Sequence, residues 1–191
     1  MQDDDTTLAD AFRDLHGPRL HGFAMLITLG DERAAERAAG RALAVGADSA
    51  AALRHPERAA AWLRARTLHE LSRWPRGGSS IPAASRREAL AGLGVDDGVY
   101  EALAPMTVRA RAALVASAIE RFEPIDIETI LDAGPAATRR AVANARDRYL
   151  RSVREEPGQP HTEPASNQDG ELARRVMAVV SRAMSATGRR K

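Results

Sequence analysis

FEPIDIETILDAGPAATRRAVANARDRYL, Phe122 to Leu150, is the stretch on which the reading of this chain turns. Ile125, Ile127, Ile130 and Leu131 pattern a short helix, and Ala133-Gly134-Pro135 interrupts it. Gly134 suits the bend, and Pro135 suits a first helical position, where its missing N–H costs nothing. A longer helix then begins, with Arg139 and Arg140 in its second turn. A short helix, a tight turn and a basic second helix compose a helix-turn-helix, a motif whose second helix can enter a DNA major groove.

Charge distribution agrees with that reading. The 191 residues carry a net charge of only +2. Between Pro135 and Arg154, however, six arginines face a single acid, Asp147. The first seventy-five residues are nearly balanced, with ten arginines against eleven acids. Positive charge therefore concentrates on the candidate recognition helix, where phosphate contacts are expected.

Working outward, the composition predicts an all-α fold. Hydrophobic residues make up 44% of the chain but aromatics only 4%, and alanine fills much of the difference, which suits closely packed helices better than sheets. Helices are predicted over Thr7–Leu15, Pro18–Leu29, Asp31–Val45 and Pro56–Trp74, the first with Leu8, Ala11, Phe12 and Leu15 on one face. A second group is predicted over Val99–Leu103, Thr107–Phe122, Ile125–Leu131 and Pro135–Val153. The predicted organisation is a helical domain over 1–75, a linker over 76–97 and a second helical domain over 98–154. A disordered tether over 155–170 and a C-terminal amphipathic helix over 171–191 complete it. In that last helix Leu172, Val176, Val179 and Ala183 recur at i, i+4, i+7 and i+11.

Other chemistries find little support. The chain has no cysteine, which excludes disulfides and thiolate metal sites. Its five histidines are never spaced i, i+4, so no metal site is expected. Glu120, Glu123, Asp126 and Glu128 cluster without a nucleophile, a histidine or a phosphate loop beside them, so no catalytic site and no cofactor are expected. The acidic start lacks the layout of a signal peptide, and no apolar run approaches a membrane span. A cytoplasmic protein without enzymatic activity is the expectation.

Local sequence extends the outline. LADAFRDLHGPRLHGFAMLITLGDERAAERAAGRAL, PERAAAWLRARTLHELSRW, EALAPMTVRARAALVASAIE and TRRAVANARDRYL, in this order and spacing, resemble bacterial extracytoplasmic-function sigma factors over roughly Leu8 to Arg154. The resemblance implies a region 2-like domain that docks on RNA polymerase core and meets promoter DNA, followed by a region 4-like helix-turn-helix domain. It implies that Arg139, Arg140, Ala143 and Asn144 face the DNA, with Thr138 and Pro135 near a phosphate at the helix start. Arg109 and Arg111 would flank the duplex backbone, and Arg66, His69 and Arg73 would meet promoter DNA from the fourth helix. Glu36, Arg37, Gly40 and Leu43 fall where the family grips polymerase. RNA polymerase core and promoter DNA are the implied partners, with an anti-sigma factor as a further one.

The chain departs from the family pattern at several of these places. Arg37 follows Glu36 where an acidic pair is usual, Gly40 replaces a glutamine, and Glu128 replaces a small residue in the helix-turn-helix. A glutamate at that position must reach solvent or find a partner. These departures give the alternative expectation of a sigma-like protein-interaction module that regulates transcription without reading a promoter itself.

Overall fold

The computed structural model describes residues 2–49, 55–73 and 81–155. Trp74, the glycine-serine stretch that follows it, and everything after Glu155 lie outside the described residues. That includes the expected tether from residue 156 and the amphipathic helix over 171–191. Among the described residues every regular element is helical: α1 Gln2–Thr28, α2 Glu32–Asp48, α3 Pro56–Ser72, α4 Ala83–Gly92, α5 Asp97–Leu103, α6 Val108–Leu114, α7 Pro124–Leu131 and α8 Pro135–Glu155. A π-helical turn, Val115–Ile119, continues α6.

The two helices predicted before residue 30 are one. α1 runs through Gly17 and Pro18, although a proline within a helix forfeits one backbone hydrogen bond, here to the carbonyl of Asp14, and costs about 3 kcal/mol in an isolated helix. Burial of Leu20, Phe23, Ala24 and Ile27 just beyond it holds the segment helical. The predicted apolar face also divides. Phe12 turns into the core, whereas Leu8, Ala11 and Leu15 point to solvent.

α2 begins on Asp31, whose carboxylate accepts the N–H of Ala34 at 3.0 Å. Its inner face is Ala35, Ala38, Ala39, Ala42 and Gly46, so α1 and α3 approach closely. At Gly46 a Cβ would stand 2.9 Å from both Leu63 and Phe12, so any larger residue there would have to displace those side chains. Part of the predicted linker is structured, since α4 occupies residues 83–92 and Leu90 is fully buried. The chain passes so close to α1 that a Cβ on Gly30 would fall 2.2 Å from the carbonyl oxygen of Arg86.

Three helices end in the same Schellman motif. Leu29, Gly94 and Asp132 adopt positive φ, and each following residue donates five positions back, Gly30 to Met25, Val95 to Leu90 and Ala133 to Glu128. Gly134 is therefore not the left-handed residue of the helix-turn-helix bend; Asp132 is, at φ 44°. The predicted helix over Thr107–Phe122 also stops early. It begins on a Thr107 cap, widens into the π turn, and leaves Arg121 left-handed at φ 55°.

The buried residues form one continuous cluster from Phe12 to Ala145. α1 packs on α2, α2 on α3, and α3 in turn on α7, while α8 lies across α5 and α6. The first helix of the helix-turn-helix is thus seated against the N-terminal helices, and α8 is carried on the far side of the support.

Candidate nucleic-acid interface

The helix-turn-helix is built from both sides. α7 starts at Pro124 and buries Ile127, Ile130 and Leu131, while Ile125 stays exposed on the opposite face. After the Asp132 turn, α8 starts at Pro135, and Thr138 N–H donates to the carbonyl of Gly134 at 3.0 Å. Thr138 and Ala145 are buried, with Ala141, Val142 and Tyr149 packed partly beneath the helix. Their spacing, close to two turns from Thr138 to Ala145, fixes which side of α8 faces inward.

The opposite side is open. Pro135, Arg139, Arg140, Ala143 and Asn144 are all exposed, as are Arg146, Arg148 and Arg151. Asp147 is the acid among them. Arg140 folds its Nε to the carbonyl of Ala136 at 3.3 Å, and Arg151 does the same with Asp147. Those long bonds at the surface hold little of either side chain. A helix presenting guanidinium groups and an amide outward, on an apolar underside, offers bidentate donors to phosphates or to guanine edges.

Two residues expected at the DNA are buried in the scaffold instead. Thr138 is 4% exposed, and its hydroxyl donates to the carbonyl of Ala133 at 3.2 Å. The helix phase points it at the core, and its oxygen-bound proton satisfies the turn. Arg111 is 7% exposed. Its Nε donates to Ile27 O at 2.7 Å, and its Nη1 donates to Met106 O at 2.7 Å and to Leu103 O at 3.3 Å. Burial, followed by the nearby Arg86 charge, lowers its pKa to about 10; it remains charged at neutral pH and ties α6 to the end of α1. Arg109 stays exposed but donates through Nη2 to Leu131 O, bracing the last turn of α7.

The remaining expected residues are placed as follows. His69 in the last turn of α3 and Arg73 at its C-cap are exposed. Arg66 is half-buried and pairs with the buried Glu70 at 3.0 Å, and Arg41 approaches the same carboxylate at 3.6 Å. On α2, Glu36, Arg37 and Gly40 share the exposed face, whereas Leu43 is half-buried and reaches toward Gly17 of α1. Glu128 is half-buried near the surface of α7.

Arg64 and Glu120 were not singled out as a pair by the sequence. Arg64 is 3% exposed, and its Nε and Nη2 both donate to the Glu120 carboxylate, the former at 2.6 Å. Nη1 donates to Ala60 O at 3.0 Å, and the guanidinium lies 4.9 Å from the Phe122 ring centre and 5.5 Å from that of Phe23. This bidentate pair fastens α3 to the segment entering α7. His16, ring-packed on Phe12 at 4.6 Å, sits nearby, and its pKa is lowered by burial first and then by Arg64 and Arg19. One sequence signal existed: Arg64 falls in phase with Ala60, Ala61, Leu68 and Leu71 on α3, so an inward charge required a partner.

No group of histidines, aspartates and glutamates able to hold a metal ion occurs among the described residues. None of the described helices is long and apolar enough to cross a membrane. No family model, no curated protein and no solved structure matches this chain.

Proposed function

We propose that this chain is a divergent sigma-factor-like transcription initiation protein, without catalytic activity of its own, that docks on RNA polymerase core and reads promoter DNA with α8. The observation that carries the reading is the outward placement of Arg139, Arg140, Ala143 and Asn144 on one exposed side of a helix-turn-helix second helix. Arg139, Arg140 and Asn144 supply base-edge donors, and Arg146, Arg148 and Arg151 supply phosphate contacts. Glu36, Arg37 and Gly40, open on α2, supply the polymerase-facing surface in this reading, and His69 and Arg73 lie open at the end of α3 for a second DNA contact.

An electrophoretic shift of promoter DNA, with and without core polymerase, tests it. A complex that requires both proteins is the expected result, and no complex in either lane defeats the proposal. A second reading is favoured by a specific observation: α3 and the entry to α7 are locked together by Arg64 and Glu120 in one continuous core. A body closed in that way suits a sigma-like module that regulates transcription by binding proteins, polymerase or an anti-sigma factor, and the arginine substituted at position 37 fits it too. Retention of core polymerase without any DNA complex is its signature.

A further inference from the structure

The least expected surface in the molecule is the first half of α1. Leu8, Ala11 and Leu15 are exposed, Leu15 at 61%, and their i, i+3, i+7 spacing aligns them in one stripe that Pro18 extends. Asp10 and Asp14 are exposed beside it, Asp10 in an ion pair with Arg13 at 2.8 Å. Phe12 and His16 fill the core side of the same turns, so rotating α1 to cover the leucines would unpack the interior. An apolar stripe left in water along two helical turns calls for a covering element.

We infer that the stripe is the seat of the chain's own C-terminal segment, Leu172 to Ala183. Three features of this sequence argue for that occupant. Leu172, Val176, Val179 and Ala183 recur at the period that makes one narrow apolar face about the same length as the α1 stripe. Charge is complementary: residues 2–16 carry five aspartates against Arg13, and residues 171–191 carry six basic side chains against Glu171. Reach is sufficient as well. The sixteen residues 156–171 between α8 and the segment extend to at most about 55 Å, and a body of this size is about 40 Å across. The segment would lie along α1 with its apolar face on Leu8, Ala11 and Leu15, and its arginines beside Asp10 and Asp14. This inference stands apart from the proposed function, since it requires neither DNA nor polymerase.

The absence of cysteine gives a direct test in the full chain. Leu15→Cys, at a solvent-exposed position, is combined with Val176→Cys or Val179→Cys, and in parallel with Arg174→Cys or Ser181→Cys from the opposite side of the apolar pattern. Under mild oxidation, disulfide formation is followed on non-reducing gels and by peptide mass. Because a disulfide demands Cβ atoms about 4 Å apart, an intramolecular bond at 176 or 179 should form at least about tenfold faster than at 174 or 181. Equal rates at all four positions would show only tethered collision and overturn the inference. Disulfide-linked dimers in place of the intramolecular product would assign the stripe to a second copy, which also overturns it.

Discussion

Arginine does two different jobs in the two regions of this molecule. At the junction of α1, α3, α6 and the entry to α7, Arg64 and Arg111 are buried, and they donate to the Glu120 carboxylate and to backbone carbonyls. Along α8, Arg139, Arg140, Arg146, Arg148 and Arg151 are exposed on a helix whose other side is apolar. The same guanidinium is a structural bolt in one place and part of a solvent-exposed surface in the other. What separates them is helix phase: position 111 falls on the side of α6 that faces α1, and positions 139 and 140 fall on the side of α8 that faces solvent.

That contrast breaks most sharply at the junction. Glu120→Ala would leave the Arg64 charge buried without its carboxylate, and the expected loss of stability is about 3–5 kcal/mol by urea unfolding. A loss under 1 kcal/mol would mean that the pair does not hold the two groups of helices together. Arg111→Met removes the donor from three carbonyls and should cost about 3 kcal/mol, roughly one for each bond. It should leave the DNA affinity of the folded fraction unchanged. A selective loss of DNA binding at full stability would move Arg111 to the other side of the comparison.

On α8 the order reverses. Arg139→Ala should leave stability within about 0.5 kcal/mol, as surface changes do, and should reduce discrimination between DNA sequences by about 1–3 kcal/mol. Arg151→Ala should weaken all sequences alike and lower the slope of affinity against salt by about 1. Equal effects of both changes on every sequence would reduce α8 to a phosphate-binding surface.

The smallest effect is pH-dependent and belongs to the junction. His16 has its pKa lowered in the fold by burial and by Arg64 and Arg19, whereas the unfolded chain takes up the proton near 6.5. The unfolded state therefore binds more protons below that pH, and stability should be full above it and decline as pH falls past it. Unfolding midpoints at pH 7.5 and 5.5 check the sign. His16→Gln should remove most of the difference; an unchanged difference would place its source elsewhere.

The helical fold class was legible in the sequence because alanine-rich periodicity, the Asp31 and Thr107 caps and the prolines at 56, 124 and 135 all point one way. The breaks were less legible. Gly17-Pro18 carries every local sign of a helix boundary, yet burial of Leu20 and Phe23 beyond it carries α1 through. Gly134 attracted the left-handed turn on composition, but the Schellman bonds put it on Asp132. The π turn at Val115–Ile119 left no trace in periodicity, since it displaces the pattern by one residue only after the helix has nearly ended.

Within the candidate site, the outward set on α8 came from the family resemblance, and in the structure Arg139, Arg140, Ala143 and Asn144 do lie on the exposed side, away from Ala141, Ala145 and Tyr149. Thr138 and Arg111 were misassigned because position within a motif says nothing of what lies beneath a side chain. The Arg64–Glu120 pair spans 56 positions in the chain, and only the packing of α3 on α7 brings its members together.

The claim that α8 reads DNA sequence is tested most directly by selection from a pool of random duplexes, using the full chain with core polymerase and sequencing what is retained. One motif should be enriched, and Arg139→Ala combined with Arg140→Ala should keep polymerase binding but lose the motif. The same motif recovered by that double variant, or no motif with either protein, would contradict it.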